Sequence, residues 1–348
     1  MAPHRSITVV LVGLVLLSTV PSGVIAQEPS PPANPVPLTE YERSDRVVLD
    51  GQTYRVYTYN SPLPFVDGVA VYSDGRAIEN RNLVEKVVAV HARQTTVAGL
   101  RSDEMAILRR LKRQSHTLEK RIPAVVAEIN ATIAYTEKLE ETTIGNRSVR
   151  TVAMERIPAF EDEFQVEYGR SRIERTRKTL LKLETAATNL NENATAVINL
   201  IEKRRNGVDI DKTELFRHYV ATISALERTE TIASDLKYPL SVTTEHLTTI
   251  AKQSNKLPRV ETEMKRRFTT FAEEIERIKK TIMETQKRLT ADRKTLQKVD
   301  RRAEAMRERL MKQWEPKGSI KAKVYGLIGE TGLLLFAGLW TGLTLRKT

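Results

Sequence analysis

Phe268, Ile275, Ile282, Leu289, Leu296, Ala303 and Leu310 recur at every seventh position, and Met264, Phe271, Ile278, Thr285, Asp292, Val299 and Met306 form a second series offset by three. An apolar stripe with this period is the seam of a helix that packs against other helices, and the Glu, Lys and Arg between its members fall on the flanks and the outer face. Thr285 and Asp292 stand at seam positions although they are polar, and a polar residue there sets register or softens the helix. An earlier segment carries Leu83, Val90, Val97, Leu111, Leu118, Val125 and Leu139 in one series, with Val87, Leu108, Ile122 and Ile129 in the other. The pattern lapses between Gln94 and Glu104, where Gly99 and Ser102 predict the end of one helix and the start of the next. Ile173, Leu180, Leu183, Leu190, Val197 and Ile201 mark a further helix, and Leu215, Tyr219, Ile223, Leu226, Leu236, Leu247 and Ile250 another. Pro123 and Pro239 predict kinks.

Compact turn signals separate these runs: Thr143-Ile144-Gly145-Asn146, Arg205-Asn206-Gly207 and Asn255-Lys256-Leu257-Pro258. Short connections make consecutive helices antiparallel neighbours. The expected fold is therefore mainly α, an elongated antiparallel helical bundle of four long helices over residues 80–316. The same heptads also fit an intermolecular coiled coil.

Residues 40–79 read differently. Asp50-Gly51 separates a Val-Val-Leu run from the alternating Tyr54, Val56 and Thr58, and Asp74-Gly75 follows a second apolar run, so a small N-terminal β-meander is expected. A meander of this size needs a helix across its apolar face, and the helix beginning near Asn80 is the nearest one.

Both ends are apolar. Residues 1–26 have the form of a secretory signal, with His4 and Arg5 ahead of an apolar run and Val24-Ile25-Ala26 as the cleavage site. Residues 27–39 are a Pro-rich linker. Residues 317–323 form a basic juxtamembrane segment, residues 324–345 are long and apolar enough for a transmembrane helix, and residues 346–348 would be a cytoplasmic stub. Within that span Gly338 and Gly342 form a G-x-x-x-G pattern, and Glu330 places a carboxylate where lipid exposure is costly, so these three are the candidates for association within the membrane.

Composition changes the picture mainly by exclusion. Without cysteine the chain has no disulfide, thiolate metal site or thiol nucleophile. The histidines show no metal-binding spacing, and His91, His116, His218 and His246 are expected at the surface. Glu161-Asp162-Glu163 and the other carboxylate clusters are expected to be solvated, and no phosphate loop or nucleophile elbow is present. No enzyme activity, cofactor or metal is expected. The net charge of +12 would suit an acidic surface polymer, but 56 basic residues are interleaved with 44 acidic ones along the helices, which predicts solvated faces and no specific nucleic-acid recognition. Asn130, Asn146 and Asn193 lie in glycosylation acceptor patterns, with Asn146 in a turn and the other two on helices.

These features together predict an exported, single-pass membrane protein with its main domain extracytoplasmic, acting as a scaffold, spacer or protein-binding module at the cell surface. Its expected partners are the lipid bilayer and another protein or a second copy, met through the coiled coil and the membrane helix. The alternative is the ligand-binding subunit of a membrane sensor or transport assembly whose output lies on another protein.

Overall fold

The structure, a computed structural model, describes residues 43–59 and 68–314. The signal, linker, juxtamembrane segment, membrane span and stub lie outside the described residues, and among the described helices none is long and apolar enough to cross a membrane.

The chain is mainly helical, with a small four-stranded antiparallel sheet at its N-terminal side. Strands β1 (Arg43–Leu49), β2 (Gln52–Tyr59), β3 (Gly68–Ser73) and β4 (Arg76–Ala77) pair in sequence order. Leu49 is registered with Gln52 and Ser73 with Arg76, so each Asp-Gly pair is a two-residue turn. Both residues of each turn have positive φ, 51° and 78° at Asp50 and Gly51 and 47° and 76° at Asp74 and Gly75. That backbone matches the strand twist, which is why the sequence signal was specific.

Seven α-helices lie among the described residues. Helix α1 (Arg81–Ala98) starts at Asn80, whose side chain accepts from the Asn82 and Leu83 amides, and it ends at Gly99. Helix α2 (Ser102–Lys138) follows at once, confirming the break expected there. After α2 a two-stranded hairpin, β5 (Thr143–Ile144) and β6 (Arg147–Ser148), leads into two short helices, α3 (Val149–Arg156) and α4 (Pro158–Phe164). Three long helices complete the fold: α5 (Arg172–Arg205), α6 (Lys212–Gln253) and α7 (Glu261–Lys312). Pro123 and Pro239 lie inside α2 and α6, which continue past them, so neither proline ends its helix.

Helix α2 packs on α5 and α7, α5 on α6, and α6 on α7, which closes a ring of four long helices. Charged pairs record the antiparallel directions. Along α2 and α7, Glu104 meets Arg302, Arg110 meets Asp292 and Arg121 meets Thr281. Along α6 and α7, Glu227 and Glu230 meet Arg293. Both heptad series of α7 point inward, from Met264 to Leu310, with Met306 only partly buried. Helix α1 contacts α7 through Glu85 with Arg307 and through Thr96 with Met306. Helix α1 also packs on α6 and on β1, so it is wedged between the sheet and the two helices. Its buried face includes the expected Val87 and Val97 together with Val84, Val88, His91 and Ala92, while the expected Leu83 and Val90 are only partly buried against the same cluster.

Three apolar clusters fill the interior. One lies under the sheet, where Val47, Tyr54, Val56, Val69 and Val71 meet α1 and the end of α7. The second spans the near half of the ring and the third the far half. The latter two part company where α2 contributes Ser115, α6 Thr229 and α7 Thr285, all buried. Ser115 and Thr229 satisfy their hydroxyls on their own helices, at Leu111 O (2.8 Å) and Ala225 O (2.7 Å), so the layer is polar in composition without cross-links of its own.

Candidate interaction surface

The two ends of the ring are built differently. At the sheet end, the Val69 amide donates to Gln313 O at 3.0 Å and Trp314 bridges to the same strand, so the last turn of α7 is fastened to β3. Beside this junction His91 is buried, with Nδ1 at 3.5 Å from Asp45 of β1, and Lys212 at the start of α6 pairs with the same carboxylate. Burial pushes the His91 pKa down to about 4, opposed by the Asp45 charge and reinforced by Lys212. His91 is thus a neutral internal group joining sheet, α1 and α6, which corrects its expected surface position. The reason is visible in α1: His91 continues the Val84, Val87, Val88 stripe.

At the opposite end, the β5–β6 hairpin and the α6–α7 turn lie together, because Arg259 donates to Thr143 O and Lys256 donates to Arg156 O at 2.9 Å. Helix α4 closes this end. Phe160 and Phe164 lie tilted against each other with ring centres 4.9 Å apart, and both contact the Phe268 ring edge-on, at 6.2 and 5.9 Å. Glu163 is fully buried and accepts from Thr243 Oγ1 at 2.9 Å, while its other oxygen lies 3.0 Å from His246 Nδ1. A carboxylate can be buried only with such partners. Glu163 was therefore misplaced by reading its cluster as solvated, and His246, with a side chain 17% exposed, is an internal partner. Its Nε2 lies 4.0 Å from Asp162. Among the described residues no group of three or more His, Cys, Asp or Glu is placed to hold a metal ion.

Between these ends the α6–α7 seam opens into a groove of about 620 Å³ near the α4 end. Ala251 and Ala272 form its floor, Thr244, Thr248 and Thr269 line it, and Lys252, Lys265 and Lys280 stand on its rim. Two alanines at a helix contact leave the depression, since longer side chains there would fill it. The Thr244 and Thr248 hydroxyls are committed to Leu240 O and Thr244 O, both at 2.8 Å. Glu276 is held by Lys279 at 2.5 Å and Arg277 by Glu274 at 2.8 Å. The three rim lysines, and Lys237 one heptad before Thr244, are exposed and make no ion pair among the described residues. Met283, on the same stripe of α7, keeps 38% of its surface exposed.

Gly338, Gly342 and Glu330 lie outside the described residues. Asn146 is exposed at the tip of the β5–β6 turn, and Asn130 is exposed on α2, where its side-chain oxygen accepts from Arg177 at 2.7 Å. Asn193 is half-buried on α5, with its side-chain nitrogen donating to Asn189 O at 2.8 Å and its oxygen 3.1 Å from His218, so the atom that would carry a glycan is already engaged. The groove was not foreseen, since its signal is only the small residues Ala251 and Ala272 at two flanking positions. No family model, curated protein or solved structure matches the chain.

Proposed function

We propose that this chain is an exported, membrane-anchored helical rod that serves as a scaffold, spacer or protein-binding module at the cell surface. One observation supports the reading above the rest: the first strand and the last turn of α7 lie at one end, fastened by the Val69 to Gln313 bond, while the hairpin and the α6–α7 turn lie at the other. A rod whose two chain exits share one end can be held there and present its far tip. The sequence supplies export through the signal at residues 1–26 and attachment through the apolar segment at residues 324–345, with Gly338, Gly342 and Glu330 as contacts to a second membrane helix. The long helices and the filled seam suit a spacer. The α6–α7 groove is an open surface depression, a shape that suits a partner protein better than an enclosed small molecule.

The test is topological. In intact cells a tag placed after Thr348 should resist protease while the helical region is digested. Equal digestion of both would refute the anchored arrangement.

A further inference from the structure

Beyond the tethered rod, the α6–α7 groove is a site of its own. It has three properties that together specify an occupant. Its floor is apolar, because Ala251 and Ala272 are buried and the Thr244 and Thr248 hydroxyls are turned into their own helix. It follows the seam, since its α7 lining runs from Lys265 through Thr269, Ala272 and Glu276 to Lys280 opposite Thr244, Thr248 and Ala251 of α6. From Lys265 to Lys280 that lining is about 22 Å long at the helical rise, the length of a helix of four turns. Its rim is basic on balance, for Lys237, Lys252, Lys265 and Lys280 carry unpaired charges, the Glu276 carboxylate is held by Lys279, and Glu273 is the one exposed carboxylate among the lining residues.

We propose that the groove docks one amphipathic α-helix of a partner protein, with small apolar residues on its buried stripe and Glu or Asp on both flanks. An apolar stripe between two helices accepts a third by the same seam packing that built the bundle. Acidic flanks follow from charge complementarity with the rim lysines, which would steer the encounter and fix the orientation. A second copy meeting groove to groove is a poor occupant, because the same four lysines would face each other. This inference deepens the protein-binding part of the proposed function and does not depend on the membrane anchor.

The absence of cysteine makes the test direct, since Thr269→Cys gives the full-length protein a single thiol in the groove. The probe is a synthetic amphipathic peptide of about three heptads, ~30 Å as a helix, with Ala and Leu on its apolar stripe and Glu on both flanks. Titrated into the fluorophore-labelled full-length protein in detergent, it should bind saturably, more weakly as salt rises. The triple variant K252E/K265E/K280E should lose about tenfold or more in affinity, and a peptide with Lys in place of Glu should prefer that variant to the unchanged protein. The exchange of preference shows that the variant is folded. Ala272→Trp, which fills the floor, should abolish binding with the helical circular dichroism intact. The proposal is overturned if the Glu and Lys peptides bind the unchanged protein alike, or if binding survives Ala272→Trp. It is equally overturned if the free chain shields the Thr269→Cys thiol, which would put one of its own segments in the groove, or if Ala272→Trp dissociates a dimer. None of these outcomes bears on the topology of residue 348, so the groove and the anchor fail separately.

Discussion

Arg110 and Asp292 are unequal partners. The guanidinium reaches the carboxylate through three contacts of 2.6 to 3.1 Å, yet its side chain is 47% exposed while that of Asp292 is only 4% exposed. Removing the arginine would strand a buried charge. Arg110→Ala should therefore cost about 3–5 kcal/mol, whereas Asp292→Leu frees Arg110 to water, restores an apolar seam residue and should be neutral or stabilising by about 1–4 kcal/mol. Denaturant unfolding of the full-length protein would distinguish them, and equal losses would count against the assignment. At this scale the sequence disclosed half of the pair. A polar residue at a heptad position is conspicuous, but its partner lies 182 residues away and on the flank of another helix, where one arginine looks like any other.

The sheet is a different kind of element, because it is held to the bundle by a titratable contact. His91 of α1 faces Asp45 of β1 and Lys212 of α6, and its pKa lies at about 4, below the ordinary 6.5. The folded state thus prefers the neutral imidazole. Unfolded chains bind the proton first as pH falls, so stability is full above about pH 6.5 and declines towards pH 4, by about 3 kcal/mol at most. Thermal unfolding of the protein and of His91→Gln across this range should converge as the pH drops, because the variant lacks this part of the loss. Parallel curves would show that His91 does not titrate at the junction. The long helices were legible because a seven-residue period integrates over many turns, so Thr285 and Asp292 did not hide α7. The α3–α4 segment had no such redundancy. Its start lies in the Ser148 cap, its break in Ile157-Pro158, and its burial in Phe160 and Phe164 one turn apart, signals that each occur once. Helix α1 was legible as a helix, with Val87 and Val97 on its buried side, but Val84, Val88 and His91 were not, because it packs on a sheet as well as on α6 and α7, and a two-sided contact does not follow a heptad.

Across the whole molecule, the 52 residues of α7 give a rod of about 78 Å. Because Arg259 holds the Thr143 carbonyl and Val69 holds Gln313, the hairpin tip and the sheet mark its two ends. Paired labels at Asn146→Cys and Gln313→Cys should therefore report a separation of about 70–80 Å, and a distance below half of that would mean that the helices fold back on themselves. The antiparallel order was foreseeable from short turns alone, whereas the closure of the near end by a strand-to-helix bond was not, since nothing in the pattern at Trp314 announces pairing with Val69. That bond has a mechanical consequence. A load applied through residues 43 and 314 together pulls the sheet away from α7 and can break its contacts one after another, starting at Val69, as a zip opens. A load between the hairpin tip and the same exits runs lengthwise along the helices, where the whole interlocked seam must slide at once. The molecule should therefore yield at its root under small forces and transmit large ones along its shaft.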